Sequence, residues 1–162
     1  MSDQNAMLKL LYDNERRLAQ TETREVPGNV PGFSQFYDTG TFTPTFAGSG
    51  GGGSFTLLAA VGEWTRVGNR VDVWIHLQMN TFTSAPAGDL WVTTLPFTSR
   101  NTSGQFYAQA IGYRSNSLAT IITALVPANT TRVQFYNTAG ALIAASVLSA
   151  AAELVIGGSF GV

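Results

Sequence analysis

From Arg70 to Met79 apolar and polar residues alternate without a break. Val71, Val73, Ile75, Leu77 and Met79 share one side; Asp72, Trp74, His76 and Gln78 share the other. A period of two marks a strand with one face in a core. Gly68-Asn69 just before it predicts a hairpin turn. Trp64 to Val67 then continues or pairs with a strand over Phe55 to Val61.

The remaining pattern is more of the same kind. Thr41 to Phe46 is β-prone, with Pro44 at an edge or a strand end. Asp89 to Leu95 stops at Pro96, and Leu118 to Val126 stops at Pro127. Gln105 to Tyr113 and Thr131 to Asn137 alternate, and a last strand over Leu154–Ile156 and Phe160–Val162 is interrupted by Gly157-Gly158. Asp38-Thr39-Gly40, Ser99 to Gly104 and Asn137 to Gly140 carry turn signals, and Thr81 to Gly88 suits a polar loop. Ala47 to Ser54 holds five glycines and lacks the Lys-Ser/Thr ending of a phosphate loop, so a flexible connection is expected. Ala141 to Ala152 has helical propensity, weakened by Ser146, Val147 and Ser149. The sum is roughly eight to ten strands with frequent turns, an antiparallel sandwich or barrel. Crossover helices for a parallel sheet have no room.

The N-terminus differs. Residues 4–19 predict a helix capped by Ser2 or Asp3. Met7, Leu11, Asn14 and Leu18 follow the 4-3-4 spacing of a coiled-coil seam, and Leu8 and Leu10 widen it. Two such heptads are marginal alone, so they fit a bundle of chains in which Asn14 sets the register. The plainer alternative is one amphipathic helix lying on its own β domain. The expected organisation is a helix over 1–25, a linker or arm over 26–39 marked by Pro27-Gly28 and Pro31-Gly32, and a β domain over 40–162.

Charge sharpens this division. Nine charged side chains fall in residues 1–25 and ten in the other 137. So sparse a charge on a β surface points to burial against other copies. The net charge of -1 argues against a nucleic-acid footprint, and the absence of cysteine excludes disulfides and thiolate metal sites. No apolar run is long enough to span a bilayer as a helix, and the N-terminus lacks the apolar core of a secretory signal.

Candidate chemistry is thin. His76 is the single histidine, so a histidine metal cluster needs a threefold axis to gather copies; an ordinary surface or interface histidine is the simpler reading. No Gly-x-Ser-x-Gly surrounds a serine. Glu63 and Asp72 flank the predicted hairpin, but Arg66 and Arg70 beside them favour ion pairing or simple solvation over a glycosidase pair. No catalytic residue, metal or cofactor is therefore assigned. Aromatic residues make up 11% of the chain, and Trp74, Tyr107 and Tyr136 fall at positions expected to face outward. Exposed rings beside polar groups such as His76 and Gln78 stack on sugars. The same rings equally suit a protomer interface.

Gly40-Thr41-Phe42-Thr43-Pro44-Thr45, the glycine-rich stretch, Trp64-Thr65-Arg66-Val67-Gly68-Asn69-Arg70-Val71-Asp72-Val73, Leu95-Pro96-Phe97 and Gly157-Gly158-Ser159-Phe160 follow one another in order. Together they resemble a module common at the C-termini of bacteriophage tail fibres and tailspikes. Trp64 and Arg66 stand where tyrosine and lysine are usual, which keeps an aromatic and a cation. The resemblance covers about residues 40–162 and implies a homotrimeric β-sandwich resembling a jelly roll, on a surface appendage of the virion, with an upstream fibre or virion protein as neighbour. It implies trimerisation and attachment to a host-surface polysaccharide or lipopolysaccharide. It supplies no catalytic residue, since enzymatic activity in such proteins lies in a separate upstream β-helix. Three functions are weighed: a glycan-binding fibre tip, a trimerisation or capping domain without ligand, and a glycan-processing enzyme, which the residues support least.

Overall fold

The structure, a computed structural model, describes residues 37–162. The helix expected over 4–19, its seam of Met7, Leu11, Asn14 and Leu18, and the linker up to residue 36 lie outside the described residues.

Among the described residues nine strands form one antiparallel sheet: β1 (Tyr37–Phe42), β2 (Thr45–Gly48), β3 (Ser54–Val67), β4 (Arg70–Ser84), β5 (Leu90–Thr93), β6 (Phe106–Arg114), β7 (Thr123–Pro127), β8 (Val133–Tyr136) and β9 (Glu153–Gly161). Their order is β1-β3-β4-β9-β6-β7-β8-β5-β2. The two edge strands are consecutive in sequence and joined only by Thr43-Pro44. Laid flat, nine strands would span roughly 38 Å, far beyond the reach of two residues. Connectivity therefore forces the sheet to curl until its edges meet at a corner. Pro44 has no N–H to offer there. The all-β, antiparallel class expected from the alternation holds, as one strongly curled sheet.

The inner face is a single core. Val71, Val73, Ile75, Leu77 and Met79 of β4 are buried together with Phe46, Leu90, Val92, Val126, Val133, Phe135, Leu154, Ile156 and Phe160. Each large side chain so buried contributes about 1.5–3 kcal/mol. The alternation of β4 thus decides which face of the sheet curls inward. Gly68 takes φ 61° in the two-residue turn, and Val67 pairs with Arg70 across it.

Several local expectations change. Asp38-Thr39-Gly40 does not turn but runs within β1, paired with Arg66, Thr65 and Trp64. β4 continues to Ser84, where a polar loop was expected, because Thr81 and Phe82 still pair with β3. The glycine-rich stretch is tied down: Gly50 N donates to Ala87 O at 2.9 Å, and Ala87 N donates to Gly51 O at 2.8 Å. β9 passes through Gly157-Gly158 without a break. Ala141 to Ala152 forms only a short 3-10 turn at Ala145–Val147. Backbone bonds from Leu90 N to Ile143 O and from Ala145 N to Gly88 O outbid helical propensity there.

The recurring motifs meet physically. A Cβ on Gly40 would lie 2.8 Å from the Trp64 ring, so the glycine seats the indole. Trp64 stands edge-on to Phe97 at 4.8 Å, and the Arg66 guanidinium lies 5.4 Å from the centre of the same ring. A Cβ on Gly158 would meet the Gln109 side chain at 2.6 Å.

Candidate functional site

The sequence-predicted residues do not share one surface: Trp74, His76 and Gln78 alternate with the buried positions of β4, whereas Tyr107 packs against the core. On the β3-β4-β9 side, cross-strand pairing puts Glu63 beside Trp74, Val61 beside His76 and Thr65 beside Asp72. Trp74 is 43% exposed, and its ring lies 6.1 Å from that of His76. His76 Nε2 shares a 3.1 Å hydrogen bond with Glu153 Oε1. Gln78 is half-buried opposite Glu153. Gly157 sits opposite Trp74, which leaves the indole without a side chain beside it on β9.

Around Trp74 the face is apolar as well as polar. Val61 and Tyr113 are exposed, the latter 51%. Val155, paired to both His76 and Tyr113, lies between them. Beyond the end of β1, the stretch Ser54–Val61 of β3 has no partner on its free side among the described residues, and Leu58 is 67% exposed there. An open edge of this kind is a surface that proteins usually cover.

Asp72 is held by Arg70 in a 2.9 Å ion pair, as the adjacent arginine foretold. Both groups are exposed, so the pair adds little stability. Glu63 and Asp72 lie diagonally on the same face and line a cavity of about 200 Å³ with Trp74. Among the described residues no cluster of three or more potential metal-binding side chains forms.

Tyr107, expected to face outward, instead lies on the inward side of β6, paired with buried Val126. It packs half-buried against the core, its ring 6.5 Å from that of Phe160, while Phe106 beside it takes the exposed side. It lines a shallow groove of about 280 Å³ with Arg100, Gln105 and Ser159. Tyr136 lies on β8, on the other half of the sheet, and its hydroxyl donates to Gln134 Oε1 at 3.0 Å. The structure therefore brings Trp74, His76 and Gln78 together and sets Tyr107 and Tyr136 apart from them.

The sequence reading missed Trp91. It pairs with Gln134 of β8 and points away from buried Leu90 and Val92. The Arg132 guanidinium stacks 3.8 Å above its ring. With Thr93, Thr98, Asn129, Thr130 and Thr131 the two line a cavity of about 470 Å³. The alternation Leu90-Trp91-Val92 was a usable signal, but Arg132 lies just before β8, and it is the pairing of β8 with β5, far apart in sequence, that brings it over the indole.

Comparison with known proteins places the fold. No family model matches the sequence, and no curated protein matches it. Among solved structures, the Dettilon tailspike protein gp208 is similar, with a TM-score of 0.61 and 24% identity. The likeness covers 77% of this chain and 24% of the tailspike, so the chain corresponds to well under two thirds of that protein. The curled sheet is thus a fold that occurs within a phage tailspike.

Proposed function

We propose that the chain is a non-enzymatic domain of a virion surface appendage, a tail fibre or tailspike, that forms a homotrimer and attaches to host-surface glycan. The observation that carries this is the likeness of the curled sheet to part of a tailspike. The finer description, a jelly-roll-like sandwich beneath a coiled-coil stub built on Met7, Leu11, Asn14 and Leu18, belongs to the same proposal. Partly exposed rings beside hydrogen-bonding groups, Trp74 with His76 and Gln78, Tyr107 with Arg100 and Gln105, and Tyr136 with Gln134, suit the apolar faces and hydroxyls of sugars. Binding of the full chain to immobilised bacterial polysaccharides tests it: saturable binding to a subset supports attachment, and none across a broad panel refutes it.

A second reading, trimerisation and capping without ligand, draws on the face around Trp74. Val61, Tyr113 and Leu58 make that face and the adjoining open edge of β3 more apolar than a sugar site needs. In this reading the outer face of β4 meets another copy. The variant Trp74→Ala separates the two. Loss of glycan binding with the trimer intact favours the first, and dissociation of the trimer favours the second.

A further inference from the structure

We propose that the cavity between Trp91 and Arg132 is a binding site for a saccharide unit carrying a carboxylate; this rests on the glycan-attachment reading and gives it a location and a ligand class.

The site is built before any ligand arrives. Ser99, 2% exposed, clips the two wall segments together. Its N–H donates to Thr130 O at 2.9 Å, its carbonyl accepts from Asn129 N at 3.2 Å, and its hydroxyl accepts from Thr130 N at 3.0 Å. Leu95 N donates to Thr131 O at 3.0 Å on the adjacent rim. Walls fixed in this way avoid the ordering cost of binding.

Backbone strain marks the same place. Among the described residues, two non-glycine residues have positive φ, Thr94 at 69° and Asn129 at 55°. A β-branched residue in that region is an outlier. Thr94 adjoins Thr93 on one wall and is held by its hydroxyl donating to Thr43 O at 2.6 Å, while Asn129 lines the other wall. Strain of this kind persists where the surroundings over-determine it and gathers at ligand sites.

The lining decides the chemistry. Arg132 makes no ion pair with any described residue, and no carboxylate lines the cavity. Trp91 Nε1 and Arg132 Nε are buried without hydrogen-bond partners among the described residues. Stacking on the indole fixes the plane of the guanidinium, which leaves its outer edge for a planar anion. One cation without a second beside it suits a singly charged carboxylate better than a phosphate dianion. Four threonines and Asn129 supply donors and acceptors for sugar hydroxyls.

The test follows the Trp91 indole N–H, assigned by Trp91→Phe, in nitrogen-proton correlation spectra of the full chain. Methyl β-D-glucuronide at millimolar concentration shifts it, and methyl β-D-glucoside at the same concentration does not. Glucose 6-phosphate binds at least ten-fold more weakly than the glucuronide. Arg132→Gln and Arg132→Lys each weaken glucuronide binding ten-fold or more. Thr131→Tyr, which puts a bulky ring at an exposed lining position and keeps both Trp91 and Arg132, does the same should the arginine variants misfold. An equal shift by the neutral sugar, or equal binding of the phosphate, overturns the carboxylate assignment. Polysaccharide binding that survives Arg132→Gln and Thr131→Tyr unchanged overturns the site but leaves attachment standing. Failure of every polysaccharide to bind wild type overturns attachment as well.

Discussion

Ser99→Ala removes one hydroxyl from a nearly sealed position and isolates the clip behind the Trp91 cavity. The backbone bonds from Ser99 N to Thr130 O and from Asn129 N to Ser99 O do not depend on the side chain. Two bonds vanish: the one Ser99 Oγ accepts from Thr130 N and the one it donates to Pro127 O. Their consequences differ. Pro127 O keeps a donor, because Thr130 Oγ1 reaches it at 2.9 Å. Thr130 N–H is left without its partner, and an orphaned buried donor costs about 1–3 kcal/mol. The expected loss is therefore about 2 kcal/mol, or roughly 4–8 °C in Tm for a chain of this size. Urea unfolding at fixed protein concentration measures it, with the slope unchanged and the midpoint lowered. A loss below about 0.5 kcal/mol would show that the hydroxyl is readily replaced by water and that the wall is not held as described.

Other expectations follow from single contacts. Gly40→Ala drives a Cβ into the Trp64 ring and should cost about 1–3 kcal/mol by denaturant unfolding, whereas Gly104→Ala meets no atom and loses stability only through its left-handed backbone. Ile75→Ala, in a fully buried position of β4, should cost about 2–5 kcal/mol, against less than about 1 kcal/mol for Gln78→Ala on the opposite face. Light scattering of the full chain at micromolar concentration should give three times the chain mass, and a monomer there would remove the trimer from the proposal.

How much the sequence disclosed varied with how strongly each segment touches the core. Arg70 to Met79 was legible to the residue because one face is buried and the other is not. Gly68-Asn69 was legible because a two-residue hairpin demands a left-handed position. Thr81 to Ser84 was not, since that end of β4 pairs with β3 alone and carries no apolar alternation. The glycine-rich stretch misled because its order comes from backbone bonds to Ala87, which no side chain announces. Gly157-Gly158 looked like a break, but Gly158 makes room for Gln109 inside a continuous strand. The candidate site was half legible. Trp74, His76 and Gln78 share a face because they share a strand, while the stack of Trp91 on Arg132 depends on the pairing of β5 with β8, strands far apart in sequence whose register no local pattern announces.

The attachment function meets its most direct test in one experiment: binding of the full-length chain to an array of bacterial O-antigens and capsular polysaccharides. The account predicts saturable binding to a few of them, concentrated among those with uronic or other carboxylated sugars. Uniform absence of binding, with the chain folded and assembled, would contradict it.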